Sequence, residues 1–78
     1  MTNNKEAVAL TIAQNLRKAR REKKMTQFEL ASLSGVSRVT IARIESNALI
    51  PDIITLLCLA KALHINIDIL LKGINDVV

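Results

Sequence analysis

In the stretch Ser37-Arg38-Val39-Thr40-Ile41-Ala42-Arg43-Ile44, two kinds of side chain separate. Ile41 and Ile44 lie three apart, so a helix here turns both into a core. Arg38, Val39, Thr40 and Arg43 are left pointing elsewhere. An arginine fork can take the O6 and N7 acceptors of guanine together, worth about 1–3 kcal/mol of discrimination between bases. Val39 has no hydrogen-bonding group, so its natural target is the thymine methyl. Thr40 offers a methyl and a hydroxyl and suits either task. Simpler readings stay open: Arg38 could meet only phosphate or solvent, and Arg43 could form a surface salt bridge. The chemistry within reach of these four side chains is the reading of base-pair edges.

Residues 26–47 supply the elements that must position them. Thr26-x-x-Glu29 is a capping box, in which each end satisfies a free N–H of the other. The helix it opens is short, with Leu30, Ala31 and either Phe28 or Leu33 facing inward. Gly35 supplies the positive φ that closes a helix cheaply. Val36 packs in the turn, and Ser37 is a good N-cap for the next helix. Two short helices about a tight turn, the second opening with polar and basic groups clear of the core, build a helix-turn-helix motif. The second helix of such a motif sits in the major groove of DNA.

Upstream, the spacing predicts a first helix over about residues 5–23, with Val8, Ile12, Leu16 and Ala19 on one apolar stripe. Its last turns hold Arg17, Lys18, Arg20, Arg21, Lys23 and Lys24, where the helix dipole favours positive charge. Residues 1–4 are expected to fray. Downstream, Pro51 ends a loop and Asp52 caps a fourth helix, whose inward face is Leu56, Leu59, Ala60 and Leu63. His64 leads to a fifth helix, capped by Asn66 and carrying Ile67, Leu70 and Leu71. Gly73 is its stop signal, and residues 74–78 form a short apolar tail. The expectation is one domain over residues 1–78, with its core in 12–73 and the helix-turn-helix in 26–46.

Composition narrows the function classes. Half of the 78 residues are hydrophobic, but Phe28 is the only aromatic, so aliphatic side chains must build the core. A chain of this length is expected to form one small domain, without a ligand-sensing one. No apolar run approaches about 18 residues, and no secretory signal is recognisable, so no membrane span is expected. Cys58 stands alone, which fits a reducing cytoplasm. Residues 1–47 hold nine Lys and Arg against four acids, a net of +5; residues 48–78 hold two against three, a net of −1. A basic half and an oily half suggest a polyanion on one side and protein on the other, although a solvated basic face gives the same charge.

Enzyme readings fail on residue types. His64 is the only histidine and Cys58 the only cysteine, too few for a zinc site. No metalloprotease helix motif or phosphate-binding glycine loop is present. His64 is better read as a helix C-terminal cap and Cys58 as a small hydrophobe. No enzyme activity, cofactor, metal or small-molecule substrate is expected.

Residues 17–73 resemble the phage-repressor-like (Cro/repressor, or XRE) helix-turn-helix family. The resemblance rests on Leu16-Arg17-Lys18-Ala19-Arg20, Met25-Thr26-Gln27-Phe28-Glu29-Leu30-Ala31, Ser34-Gly35-Val36-Ser37 and Ile41-Ala42-Arg43-Ile44-Glu45, followed by Pro51 and Leu56-Leu57-Cys58-Leu59-Ala60-Lys61-Ala62-Leu63. It implies an all-α fold, a single five-helix lambda-repressor-like DNA-binding domain. It also implies roles. Gln27 would clamp a phosphate, aided by N–H groups at its helix terminus. Ser37 would cap the recognition helix, residues 37–46, and touch phosphate. Arg38, Val39, Thr40 and Arg43 occupy base-reading positions. Ser46 and Asn47 match a loop that presents N–H groups to the opposite phosphate. Arg20 and Glu45 would form a partly buried ion pair that orients the recognition helix.

The fourth helix is apolar on too many sides for a monomer. Ile54, Leu57 and Cys58 fall opposite its inward stripe, and Ile69, Ile74, Val77 and Val78 add apolar surface nearby. A two-fold homodimer through Ile54, Leu57, Cys58, Ile69 and Ile74 would cover this surface. Its two recognition helices would reach successive major grooves about 34 Å apart and read an inverted repeat. The alternative is a tail folded back over the fourth helix. The function expected is a cytoplasmic, sequence-specific regulator of transcription, a repressor that binds double-stranded DNA as a homodimer. The chain's size resembles that of restriction–modification controller proteins, and phage or integrated-element repressors fit equally. An antitoxin or interaction module whose C-terminal half binds a partner protein is the alternative from another class. A helix-turn-helix fold that has lost DNA binding is disfavoured by Arg38, Arg43 and Gln27.

Overall fold

The structure, a computed structural model, describes residues 4–78. The fraying expected of residues 1–4 lies outside the described residues except at Asn4, which precedes the first helix. Apolar steps of three and four build α1, Lys5–Glu22, burying Ala9, Ile12, Ala13, Leu16 and Ala19. It is followed by α2 (Gln27–Ser34), α3 (Arg38–Glu45), α4 (Ile53–Ala62), α5 (Ile67–Leu70) and a 3-10 turn at Ile74–Asp76. The first helix packs against α3 and α5, α2 against α3 and α4, and α4 against α5. All five share one core, centred on the fully buried Leu16, Leu30, Ile41, Ile44, Leu59, Leu63 and Leu70.

Local chemistry starts the helices where the sequence places them. The Thr26 hydroxyl accepts the Glu29 N–H at 3.0 Å, and the Glu29 carboxylate accepts the Thr26 N–H at 2.9 Å. Asp52 accepts the Thr55 N–H at 2.7 Å, and Asn66 accepts the Asp68 N–H at 3.0 Å. The bonds from Thr55 hold the Asp52 carboxyl below its usual range. The support from this cap is therefore present above the ordinary Asp pKa and is lost as pH falls through the lowered one.

Three helices end in a left-handed residue that is not glycine: Lys24, Asn47 and His64, at φ 56, 68 and 55°. Each closes a Schellman motif. After α4, for example, the His64 N–H donates to the Lys61 carbonyl at 3.1 Å and the Ile65 N–H to the Ala60 carbonyl at 3.0 Å. His64 thus ends α4 through its backbone, and its exposed ring takes no part. A Cβ in this conformation costs about 1–2 kcal/mol, part of which glycine returns through the entropy of the unfolded chain. His64→Gly should raise stability by about 1 kcal/mol, or roughly 5 °C in Tm, in a circular-dichroism melt. An unchanged or lower Tm contradicts this account.

Three expectations need correction. Neither Phe28 nor Leu33 faces inward; they are 68% and 63% exposed. The inward stripe of α2 is instead Gln27, Leu30, Ala31 and Ser34, with Leu30 buried and the others half-buried. Phe28 lies about 100° from Gln27 around the helix. Gln27 takes the inward position because it has a buried polar partner, described below. At the C-terminus, Ile74 packs against the domain's own core, and the 3-10 turn lies on α1, not over α4. The fifth helix is also shorter than its apolar residues suggest, ending at Leu70, with Gly73 (φ 84°) opening the 3-10 turn instead.

Candidate nucleic-acid interface

A buried carboxylate joins three helices. Glu45, at the end of α3, is 4% exposed, and the side chain of Arg20 on α1 is 11% exposed. Arg20 grips Glu45 with a two-pronged fork, Nε to Oε2 at 2.8 Å and Nη2 to Oε1 at 2.9 Å. Its remaining Nη1 donates to the Met25 carbonyl at 2.8 Å. From the start of α2, Gln27 Nε2 donates to Glu45 Oε1 at 3.1 Å. Arg17 Nη1 donates to the Glu45 backbone carbonyl at 2.9 Å. The hydrogen bonds to Glu45 push the Arg20 pKa further up, against the effect of burial, so the guanidinium is held charged. The network fixes the pitch of α3 and the start of α2 relative to α1. Arg17 was missed as a member, although it sits three residues before Arg20 on the same side of α1.

What α3 presents follows from this anchoring. Arg38, Val39 and Arg43 are exposed, Val39 by 62%. Neither guanidinium has a hydrogen-bond or ion-pair partner among the described residues, so the surface salt bridge considered for Arg43 is not made. Thr40 is half-buried and engaged: Ser37 Oγ accepts the Thr40 N–H at 3.0 Å and donates to Thr40 Oγ1 at 2.8 Å. The Ser37 proton is thereby committed within the cap, which leaves the Thr40 hydroxyl as the free donor of the pair. The first-turn N–H groups of Gln27 and Phe28 in α2, and of Arg38 and Val39 in α3, have no acceptor among the described residues. Such groups at a helix N-terminus suit an anion. Gln27 opens α2, and its Nε2 keeps a second hydrogen beyond the one given to Glu45.

The loop after α3 differs from its expected form. The N–H groups of Ser46, Asn47 and Ala48 are spent on the carbonyls of Ala42, Ile44 and Arg43. The Ser46 hydroxyl donates to the Arg43 carbonyl at 3.2 Å. None of them is free for a phosphate, and only the exposed side-chain amide of Asn47 remains available. The Schellman motif that ends α3 consumes the donors.

These two short helices, with the second exposing its N-terminal side chains, match a family model described as helix-turn-helix (HTH_3) over residues 16–70. The chain belongs to the helix-turn-helix (HTH_3) family. It is 36% identical over 61 residues to the uncharacterized HTH-type transcriptional regulator YqaE of Bacillus subtilis (strain 168), an alignment covering 78% of this chain and 53% of that protein. The chain thus spans about half the length of that curated relative. Its fold is similar to the restriction–modification controller protein C.AhdI of Aeromonas hydrophila, with TM-score 0.79, 33% identity and coverage of 82% of this chain and 97% of that one. A transcriptional regulator from Vibrio cholerae superposes with TM-score 0.84 at 25% identity, covering 88% of this chain and 39% of that one. The controller protein C.Esp1396I gives 0.76 at 31%, covering 86% and 91%.

No group of three metal-ligating side chains gathers among the described residues. No single helix in them is long and apolar enough to cross a membrane. The outer side of α4 leaves Ile53, Ile54 and Leu57 exposed, α5 leaves Ile69 exposed, and Cys58 is half-buried. Ile53 extends this apolar surface beyond the residues singled out from sequence.

Proposed function

We propose that this helix-turn-helix domain acts as a homodimeric repressor that reads an inverted-repeat operator. The observation that carries the reading is the pair of unpartnered arginines, Arg38 and Arg43, on an α3 anchored by the Glu45 network. Arg38, Val39, Thr40 and Arg43 meet base edges, while Gln27 and the Asn47 side chain hold phosphates. Ser37 and Ser46 support the reading head as caps. Ile54, Leu57, Cys58 and Ile69 form the dimer surface, which would otherwise stand wet. The protein would act in the cytoplasm, where it occludes a promoter. Likeness to two restriction–modification controller proteins favours a controller role within this class. The alternative is an antitoxin whose apolar C-terminal half engages a partner protein.

Fluorescence anisotropy tests the reading, with duplex DNA from upstream of the gene set against scrambled duplex across a range of salt. Preference for the upstream duplex by about 10³ or more, falling steeply with salt, supports it. Arg38→Ala should weaken upstream binding by about 10–100-fold and leave the difference small on scrambled DNA. Equal, weak binding to both duplexes contradicts the reading and turns attention to a protein partner.

A further inference from the structure

Asn15 makes two bonds that neither the reading head nor the core requires. Its side-chain Nδ2 donates to the Leu70 carbonyl and to the Lys72 carbonyl, both at 2.9 Å, across more than fifty residues of chain. Both partners are acceptors, so only the amide nitrogen can face them, and both of its hydrogens are used. The carbonyls lie at the end of α5, a helix of four residues that packs on α1 and α4 through the buried Leu70. Thr11, one turn earlier on α1, closes on the same turn: its methyl stands 3.9 Å from the place a side chain at Gly73 would start.

The other side of α1 carries the reading head. At about 100° per residue, Arg17 and Arg20 lie roughly 140–160° around the helix from Asn15. Along the axis, Asn15 and Arg20 are only about 8 Å apart. Within that distance α1 grips the end of α3 on one side and the end of α5 on the other. Ile69, exposed on α5, lines a small cleft of about 150 Å³ together with Asn15, Lys18 and Lys72.

We infer that Asn15 is a positioning residue that sets the permitted spacing between operator half-sites, by locking the dimer surface of α5 to α1 and through α1 to α3. The inference rests on the dimer reading above. Each added base pair moves a half-site by about 3.4 Å along the duplex and turns it by about 35°. A joint must therefore hold two reading heads to within a few ångströms if one spacing is to be preferred. Two hydrogen bonds from one short, β-carbon-anchored amide allow less play than apolar contact along a single helical turn.

Selection from a random-sequence duplex library, with wild-type and Asn15→Ala protein in parallel, tests this. Wild type should recover paired half-sites at one spacing, with about a tenfold or greater loss on shifting by one base pair. N15A should recover the same half-site over a spread of spacings, with that loss cut to about threefold or less. A merely structural role would lower affinity at every spacing alike and leave the profile sharp. The same single spacing from N15A overturns the inference and leaves the dimer reading intact. Lone half-sites from the wild-type protein, with a monomer in sedimentation equilibrium, overturn both. Should N15A not fold, Asn15→Ser, which keeps one donor on a smaller side chain, carries the same comparison.

Discussion

Arg20→Ala lowers the unfolding free energy by about 3–5 kcal/mol, because it leaves a buried carboxylate without its counter-charge. The effect is large for this domain, since a chain of 78 residues has on the order of 4–12 kcal/mol in all. The Glu45 carboxylate would keep only the Gln27 amide at 3.1 Å, and the Met25 carbonyl would lose its Arg20 donor. Arg20→Lys should recover only part of the loss, since an ammonium cannot span both carboxylate oxygens from one plane. Removing Glu45 in the alanine background should cost little more, because the stranded charge disappears with it. Thermal melting of the four proteins checks the set. An unchanged midpoint in R20A contradicts the anchoring role. Contacts to specific bases should survive in the folded fraction, since Arg20 is turned away from solvent.

On the proposed dimer, Leu57→Asp should separate the protomers and lower apparent affinity for an inverted-repeat operator by about 10²–10⁴-fold, with each half-site contact unchanged. The size follows from losing the local concentration that one bound head confers on its partner. Leu57 is exposed on α4 and absent from the core, so the monomer should keep its fold and its melting behaviour. Sedimentation equilibrium reads the assembly state, and anisotropy on one-site and two-site duplexes reads the affinity. A monomer that still prefers the two-site duplex as strongly as wild type would show that the dimer surface lies elsewhere. A dimer that persists with aspartate at this position has the same meaning.

Much of the candidate interface was legible because it rests on local chemistry. The capping box at Thr26 and Glu29, the left-handed Gly35 and the Ser37 cap each depend on residues within one helical turn. The exposure of Arg38, Val39 and Arg43 followed from the three-residue step between Ile41 and Ile44. Phe28 and Leu33 misled because apolar character is only a weak guide on an eight-residue helix. There, one buried polar partner decides which way the helix turns. The loop at Ser46 and Asn47 misled because a left-handed Asn47 consumes N–H groups that family likeness treats as free.

By itself the sequence determined the helices, most of their starts, the helix-turn-helix motif and the surplus of apolar residues in the C-terminal half. Periodicity and capping act over three or four residues and need no knowledge of the rest of the chain. Only the tertiary structure decided the partners of Gln27, Arg17 and Asn15, and the folding of Ile74 onto its own core. Those contacts join residues 18, 28 and 55 or more positions apart, and they exist only at one set of helix crossings. The angle between two helices is a property of the whole packed core, so a side chain that reaches across it finds its partner only once every helix is in place.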